Sequence, residues 1–581
     1  MPEPQTRLSH RQDIEEILAK TGYPQERIEK ARLACEENSL PLAQNLLALS
    51  LATLDELCDY CGKFYKTTFI PIPETAKTYF HIVPRNIILR YQVLPLGLDG
   101  RTMTLGMVNP KDVEAADDVS FLTGYDVNPV GILEMQFDQF IKEQASVSSE
   151  NINLKQVLRD VAETRAGMVS EKTGVSIVGT SDSAIQKFIK TMVSDAMRNR
   201  ASDIHIEPQE TILLLRYRID GFLRTAYRIP LGSHAQIISA LKILANLDIT
   251  ETRRPQDGRI TIKVDNRSID MRIATILTHY GENVVIRILD TKNIKVGMND
   301  LGIPDYVQAR LKELGLQNTG MLLVTGPTGS GKTTTLYSFI QTIRSPALKI
   351  ITLEDPIEYP ILEDDRQQEG GITQIQVNPK VNLTFSAGLR AALRLDPDII
   401  FVGEIRDLET AEISFSAALT GRLVLSTLHT NDAPSTVTRL LDMQIDPFLI
   451  AGALRAVMSQ RLVRKLCQEC RVRYEPPART MDRLAQSLPK EVVLSIVPTL
   501  YRPHGCKTCG GRGYSGRIGL FELLEINDEL RDLILNRAPI SEILRAAQNT
   551  GLRTLRTAGL IEVLKGRTTL AEVFRVTPAE S

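Results

Sequence analysis

The residues with the most specific chemistry form a glycine-rich run near the middle of the chain. Residues 326–333 have the spacing GxxxxGK[ST] of a phosphate-binding loop. In such a loop the glycines let backbone N–H groups face phosphate oxygens, and the N-terminus of the following helix adds positive potential. Lys332 is expected to contact the β- and γ-phosphates of ATP, and Thr333 to bind Mg²⁺. The predicted nucleotide-binding residues are Gly326, Pro327, Thr328, Gly329, Ser330, Gly331, Lys332, Thr333 and Thr334.

An acid that follows an apolar strand is the second candidate. The run from Asp396 to Glu404 is apolar after its first three residues and ends in Gly403-Glu404. Such a strand would carry Glu404 to the γ-phosphate, where it could hold Mg²⁺ through water or orient the attacking water. A buried strand with an incidental terminal acid is the alternative, and the phosphate loop argues against it.

Two cysteine pairs near the C-terminus have the spacing of a metal site. Four thiolates without an open position suit a structural, tetrahedral Zn²⁺. The alternative is a set of free thiols or a redox pair. A further pair, Cys58 and Cys61, lies on a predicted helix, where packing is the better interpretation. The predicted zinc ligands are Cys467, Cys470, Cys506 and Cys509.

The elements that must position the nucleotide-binding residues can be predicted from hydropathy. Four apolar runs alternate with helical patterns and are expected to be buried on both faces, which is typical of a parallel sheet. Two of them lead directly into the phosphate loop and Glu404. The four predicted strands are Met321–Thr325, Lys349–Leu353, Ile399–Gly403 and Leu423–Thr427.

Upstream of this sheet, the pattern predicts a smaller α+β domain. Apolar residues from Ile185 to Met197 recur at helical spacing and predict an amphipathic helix. A hairpin is predicted around Asp220-Gly221, and a second around Asp265-Asn266.

Length and composition limit the possible classes of protein. A chain of 581 residues should form about three or four domains. The net charge of -1 gives no overall attraction to nucleic acid or to an anionic membrane. No run of about 18 apolar residues occurs, so a membrane role would require a membrane partner. Paired cysteines suit a reducing compartment, and the cytoplasm is the expected location.

Four motifs, in their order and spacing, resemble the secretion-superfamily hexameric ATPases, the motors of type II secretion and type IV pilus assembly. They are the phosphate loop, an acidic box at 352–358, the Glu404 strand and a histidine box at 420–432. The resemblance implies that Glu354, Glu358 and His429 lie near the nucleotide. Either glutamate is a candidate general base, and His429 could sense the γ-phosphate. Taken alone, His429 would be interpreted as a structural histidine. Arg422 stands where family members usually have a further histidine.

Three runs, 201–208, 216–221 and 253–259, of which the last two contain arginines, resemble the family domain that closes over the nucleotide. Phosphoryl transfer benefits from a mobile arginine that neutralises phosphate charge. The resemblance implies that Arg259 and Arg272 are the first candidates for this role, with Arg216 and Arg218 weaker ones. The alternative is that these arginines pair with acids on a solvated sheet face.

The resemblance extends to the two ends of the chain. Residues 50–142 resemble the family's N-terminal domain, which docks onto an inner-membrane platform or recruiting protein. Some members bind cyclic di-GMP there through an Arg-Leu-Gly start, which this chain lacks in clear form, and no such site is assigned. Assembly ATPases commonly carry the four-cysteine insertion and pilus-retraction relatives lack it, so the insertion favours assembly or export.

The resemblance implies a multidomain α/β fold in which a RecA-like P-loop domain with a parallel sheet follows a PAS-like α+β domain and an N-terminal α/β domain. The predicted divisions are an N-terminal docking domain (1–145), a linker (146–174), the PAS-like domain (175–295), the ATPase domain (296–464), the four-cysteine zinc module (465–525) and a C-terminal helical segment (526–581).

The implied function is that of a homohexameric ATPase using ATP, Mg²⁺ and Zn²⁺, cytoplasmic and peripheral to the inner membrane, which it would contact only through partners. ATP would bind between the PAS-like and RecA-like domains. A nucleic-acid-driven P-loop motor is an alternative, disfavoured by the net charge and the lack of tryptophan, and no nucleic-acid partner is expected. A pilus-retraction motor and a non-enzymatic scaffold are two further alternative functions.

Overall fold

The structure is a computed structural model of the chain. It describes residues 14–38, 41–80, 82–144, 181–264, 267–289, 297–317, 319–361, 371–488 and 500–577. The linker predicted at 146–174 lies outside the described residues. The chain forms two compact units. The first unit comprises Met1–Val147, Val463–Ser515 and Arg556–Ser581, and the second comprises Ser148–Leu462 and Gly516–Leu555.

The first unit begins with a helical bundle, followed by a small α/β domain. The bundle helices are α1 (Ile14–Thr21), α2 (Gln25–Asn38), α3 (Leu42–Ala48) and α4 (Leu54–Tyr65). Cys58 and Cys61 are buried in its core, in agreement with the packing interpretation of that pair. The α/β domain contains α5 (Ala76–Tyr79), α6 (Arg85–Tyr91), β1 (Val93–Asp99), β2 (Thr102–Met107), α7 (Val113–Thr123), β3 (Asp126–Gly131) and α8 (Glu134–Gln144). Strand β2 pairs with β1 antiparallel and with β3 parallel.

The second unit begins with an α+β domain. Its elements are α9 (Ser181–Arg198), β4 (Ala201–Pro208), β5 (Ile212–Ile219), β6 (Phe222–Pro230), α10 (His234–Leu244), β7 (Gln256–Val264), β8 (Arg267–Thr278) and β9 (Gly281–Leu289). In the described residues the strands form one antiparallel sheet in the order β6-β5-β4-β9-β8-β7. The apolar side chains of α9 pack into its core, which confirms the predicted amphipathic helix. The hairpin at Asp220-Gly221 is present, and β7 pairs with β8 antiparallel, while Asp265 and Asn266 lie outside the described residues.

An alternating α/β region follows and carries the phosphate loop. Its elements are α11 (Asp305–Leu316), β10 (Gly320–Thr325), α12 (Lys332–Ile343), β11 (Ile350–Glu354), β12 (Ile372–Gln376), α13 (Phe385–Ala392), β13 (Ile399–Val402), α14 (Leu408–Leu419), β14 (Leu423–Leu428), α15 (Ala433–Asp442), α16 (Pro447–Ala453) and β15 (Leu454–Leu466). Neighbouring residues such as Leu322 and Leu323 enter different cores, because the sheet is covered on both faces. The four predicted apolar strands are therefore confirmed.

The cysteine-rich region and the C-terminus complete the chain. Their elements are β16 (Val472–Tyr474), α17 (Ala478–Ser487), β17 (Leu500–Arg502), β18 (Tyr514–Glu525), α18 (Asp528–Leu535), α19 (Ile540–Asn549), α20 (Leu555–Leu564) and α21 (Leu570–Val576). Strand β16 pairs with β17 antiparallel.

The seven strands of the described ATPase sheet have the order β12-β11-β13-β14-β10-β15-β18. Strand β18 thus leaves the cysteine-rich region and joins this sheet, although the sequence placed all of 465–525 in one module. Leu520 and Phe521 are buried, and this burial explains why the strand belongs to the ATPase core. The pairs from β12 to β15 are parallel, so their carboxyl ends meet at one edge.

Candidate nucleotide site and metal centre

The candidate nucleotide site lies at the carboxyl edge of the parallel sheet. Thr325 pairs with Leu428 at the ends of β10 and β14, and Leu353 pairs with Val402 near the ends of β11 and β13. The predicted site residues follow these ends directly. Parallel pairing therefore brings the phosphate loop, the acidic box, Glu404 and His429 to one side of the sheet, as expected for ligand sites in open α/β sheets.

The phosphate loop has a backbone that suits glycine. Gly326, Gly329 and Gly331 have φ angles of +144°, +78° and +89°. A Cβ at Gly326 would lie 2.5 Å from the carbonyl oxygen of Gln460, and one at Gly331 would lie 3.0 Å from its Nε2. Because Gly331 immediately precedes α12, the N–H groups of the first helical turn complete an anion-binding concavity.

The ammonium group of Lys332 lies over this loop. Its Nζ donates to the carbonyl oxygens of Gly326 (2.9 Å) and Pro327 (3.2 Å). Burial lowers the pKa of Lys332 to about 8, while the charge of Glu404 acts to raise the pKa and that of Arg461 to lower it. The lysine can therefore offer a partly desolvated positive charge to a phosphate.

Glu404 lies close to two basic side chains. Its carboxylate forms an ion pair with Arg406, and His429 Nε2 lies 3.6 Å from Glu404 Oε2. Arg406 Nη1 also lies 3.9 Å from Asp355 Oδ2, in the acidic box. The arrangement links the carboxyl ends of three neighbouring strands. Sequence reasoning missed Arg406, although its position two residues after Glu404 was a usable signal.

Glu354 lies at the end of β11 and is 2% exposed. It accepts hydrogen bonds from Thr352 Oγ1 (2.7 Å), Gln374 Nε2 (3.1 Å) and the hydroxyl of Tyr337 on α12. Burial raises the pKa of Glu354, against the opposing effect of these donors. The carboxyl group thus connects β11 to the helix that follows the phosphate loop. Glu358, four residues further on, is half-buried.

Two polar residues of β15, missed by the sequence reasoning, lie behind the loop. Gln460 is 1% exposed, and its Oε1 accepts from Thr335 Oγ1 at 2.8 Å. Arg461 Nη2 donates to the backbone oxygen (3.0 Å) and Oδ1 (3.1 Å) of Asn431, in the histidine box. The same strand also carries Arg455, Ser459, Arg464 and Lys465, so the sequence singles out neither this pair nor the loop that it contacts.

The predicted arginines lie in the α+β domain, where Arg259 and Arg272 are cross-strand partners. Arg259 Nη2 donates to Gln376 Oε1 at 2.9 Å, and Gln376 is in register with Glu354 across β11 and β12. Arg272 lies 4.0 Å from Asp257.

The two weaker candidates pair with acids of their own sheet. Arg216 lies 3.0 Å from Glu207, and Arg218 lies 3.5 Å from Asp203. Arg259 is thus the candidate that contacts the ATPase sheet, while the role of each arginine stays a prediction.

The four cysteines converge on one point. Their sulfur atoms all lie within 4.8 Å of one another. Individual Sγ–Sγ distances are 3.9 Å for Cys467 and Cys506, 3.8 Å for Cys470 and Cys509, and 3.8 Å for Cys506 and Cys509. A zinc–sulfur bond of about 2.3 Å gives tetrahedral sulfur–sulfur separations of about 3.8 Å. The donor set therefore fits a closed zinc site.

Backbone N–H groups prepare these sulfurs for a metal. Gly505 N donates to Cys470 Sγ (3.3 Å), and Cys506 N and Gly513 N donate to Cys509 Sγ (3.2 and 3.1 Å). Burial acts to raise the pKa of Cys509, but the backbone donors of Cys506 and Gly513, together with hydrogen bonds from the Cys506 and Cys470 side chains, lower it to about 6. Since the thiolate is the form that binds metal, this network favours coordination.

A parallel sheet with a phosphate loop after β10 and an acid after β13 defines a P-loop ATPase. A family model described as "Type II/IV secretion system protein" matches residues 179–575, and an MshEN domain model matches residues 68–147. The chain belongs to the type II/IV secretion system protein family. Within the described residues, no helix has the length and apolar character required to cross a membrane.

Individual relatives agree with this assignment. The chain is 37% identical over 556 residues to the type IV pilus assembly ATPase PilB of Myxococcus xanthus, covering 94% of this chain and 95% of that protein. It is 45% identical over 402 residues to the type II secretion system protein HxcR of Pseudomonas aeruginosa, covering 69% and 79%. The structure of the ATPase DotB from Yersinia pseudotuberculosis shares the fold, with a TM-score of 0.50, 19% identity and coverage of 70% and 96%.

Proposed function

We propose that this ATPase powers type IV pilus assembly or type II secretion as a homohexamer. The observation that carries the proposal is the convergence of Lys332, Glu404 and His429 at the carboxyl edge of one parallel sheet. The names of the relatives, PilB and a type II secretion system protein, indicate the two processes.

Each part of the site has a separate task in hydrolysis. The loop from Gly326 to Thr334 binds the phosphates through backbone N–H groups and Lys332. Mg²⁺, held by Thr333 with Glu404 on its water shell, would neutralise charge between the β- and γ-phosphates. Glu404 orients the attacking water, and Arg406 and His429 fix the direction of its carboxylate. Glu354 holds α12 in place, and Glu358 remains a candidate base.

The other predicted parts belong to the same proposal. Arg259 and Arg272 of the PAS-like domain would neutralise phosphate charge, and ATP-driven movement of that domain would be the mechanical output. Zn²⁺ on the four cysteines would be structural. The N-terminal domain, which the MshEN model matches, would dock onto a platform or recruiting protein at the cytoplasmic side of the inner membrane.

The test is steady-state ATPase activity of the zinc-loaded protein, measured against protein concentration. Activity per subunit should rise with concentration, since an assembled ring is required. Glu404→Gln should lower kcat by about 100-fold or more, because it loses a charge that acts on the water or metal. Glu412→Gln, an exposed acid on the next helix, is the matched control and should leave kcat unchanged.

Equal rates in wild type and Glu404→Gln, independent of concentration, would refute both the role of Glu404 and the ring mechanism. Activity that requires added single-stranded DNA would instead support the nucleic-acid-driven motor.

A further inference from the structure

Within the first unit, the α/β domain packs on the cysteine-rich module, and the contact is centred on Gly124. This glycine ends α7 with a φ of +73°, in the left-handed region. A Cβ at this position would lie 1.9 Å from the ring of Tyr474, on β16. Because Gly124 has no side chain, it can adopt the left-handed conformation that ends α7, and the ring of Tyr474 can pack directly against its backbone.

Arg502, on β17, lies next to this contact. Its guanidinium carbon is 4.0 Å from the ring centroid of Tyr125 and 5.6 Å from that of Tyr474. Tyr125 is 7% exposed, so the cation–π contact is largely shielded from water. Such shielding makes a cation–π contact stronger than one on an open surface. One arginine therefore connects an aromatic ring of the α/β domain to one of the module.

An apolar cluster continues the contact. Phe121 of α7 is 7% exposed, and its ring packs edge-on against Phe574 with centroids 5.5 Å apart. Leu484 of α17 and Leu500 of β17 belong to the same buried cluster, together with apolar residues of α20 and α21. The α/β domain thus covers apolar surface that the module and the C-terminal helices would otherwise expose.

Polar contacts surround the cluster. Arg479 Nη1 lies 3.0 Å from Asp117 Oδ2, and Arg101 Nη2 donates to the backbone oxygen of Glu475 at 2.9 Å. The side chains of Arg479 and Asp117 are 82% and 52% exposed, so this ion pair adds little energy and mainly sets the orientation.

The strands that present Tyr474 and Arg502 have little support of their own. Strands β16 and β17 have three residues each and form a two-stranded sheet, an arrangement that is marginal in water when isolated. Cys470 precedes β16 by two residues, and Cys506 follows Arg502 by four. Coordination of both cysteines by one metal would bring the outer ends of the two strands together.

We propose that the four-cysteine module is a metal-dependent docking site for the N-terminal α/β domain of the same chain. Zinc holds β16 and β17 together. Tyr474 of β16 then packs against Gly124, and Arg502 of β17 packs against Tyr125. This inference rests on the proposed zinc site but is independent of ATP hydrolysis. Zinc binding would then determine whether the N-terminal α/β domain stays packed on the four-cysteine module.

Hydrogen–deuterium exchange of the full-length protein, with parallel measurement of bound zinc, tests this proposal. Removing zinc with a chelator should accelerate exchange in α7 and at Tyr125 by about tenfold, and added zinc should reverse the change. Arg502→Ala should produce a similar acceleration while retaining zinc. Arg553→Ala is the matched control, because it removes an exposed arginine lying 4.6 Å from Tyr306 in the second unit. It should leave α7 unchanged.

Unchanged exchange in α7 after complete zinc removal would overturn the metal dependence. Unchanged exchange in Arg502→Ala would overturn the docking contact itself, and this variant keeps the test valid if the metal-free module unfolds. A protein that binds no zinc as purified or when zinc is added would refute the zinc site. A defect confined to ATP hydrolysis would change neither zinc binding nor hydrogen exchange in α7, so it would be distinguishable from failure of this proposal.

Discussion

At the scale of single residues, the setting of Lys332 predicts that nucleotide binding depends on pH. The lysine is half-buried at the start of α12, and this burial lowers its pKa to about 8. Bound phosphate stabilises the charged ammonium, so ATP affinity should be greatest below pH 8. The affinity should fall as the pH rises through that value, because binding then requires uptake of a proton.

The expected result is a rise in the KM for ATP of up to about tenfold between pH 8 and pH 9. The measurement is steady-state kinetics from pH 7.5 to 9.5 at constant ionic strength. Lys332→Arg is the comparison, since a guanidinium stays charged throughout this range. Its KM should be higher than that of the wild type but nearly independent of pH. A flat profile in the wild type would show that Lys332 keeps its proton.

At the scale of secondary-structure elements, one buried acid joins two helices to the ATPase sheet. Glu522 of β18 is 3% exposed. Its two carboxylate oxygens accept from the backbone N–H of Ala433 (2.7 Å), which begins α15, and of Leu555 (2.9 Å), which begins α20. Helix N-termini favour a negative partner, so both helices use the same carboxylate.

Glu522→Gln should therefore destabilise the protein by about 1–3 kcal/mol at pH 8, because an amide can accept from only one of the two N–H groups. Chemical denaturation measures the loss, and hydrogen exchange at Ala433 and Leu555 locates it. Glu525→Gln on the same strand breaks only the half-exposed ion pair with Arg310 and should cost less than about 1 kcal/mol. Equal effects of the two substitutions would contradict the bridging role of Glu522.

The elements also show which features could be predicted from the sequence. The phosphate loop and the strands β10, β11, β13 and β14 have local signals in spacing and hydropathy. Their parallel arrangement followed from burial on both faces. The return of β18 to the sheet and the positions of Gln460 and Arg461 had no local signal, since they depend on pairing between distant segments. The buried setting of Glu354 was missed for the same reason. The residue types of an acidic motif do not show whether its side chains are buried by distant segments.

At the scale of the whole molecule, Arg259 of the α+β domain contacts the ATPase sheet through Gln376. If it neutralises phosphate charge in the transition state, Arg259→Ala should lower kcat by at least about 100-fold with little change in KM. Steady-state kinetics measures both constants.

Gln376→Ala is the matched control for Arg259, because it removes the same hydrogen bond without removing the charge. It should retain most of the activity. If it lowered kcat as much as Arg259→Ala does, the arginine would serve only to hold the two domains together. Arg216→Ala, which breaks the ion pair with Glu207, should also have a small effect.

The length and pairing of β15 determine how this ATPase can transmit mechanical force. The strand runs for 13 residues and ends at Leu466, directly before the first residue of the four-cysteine cluster. It pairs in parallel with β10 up to Thr325, the residue before the phosphate loop. Tension applied along a parallel pair loads its hydrogen bonds together in shear, whereas a hairpin pulled apart at its open end breaks them one after another. We therefore expect β15 to transmit load to β10, the strand that precedes the phosphate loop, with little stretch.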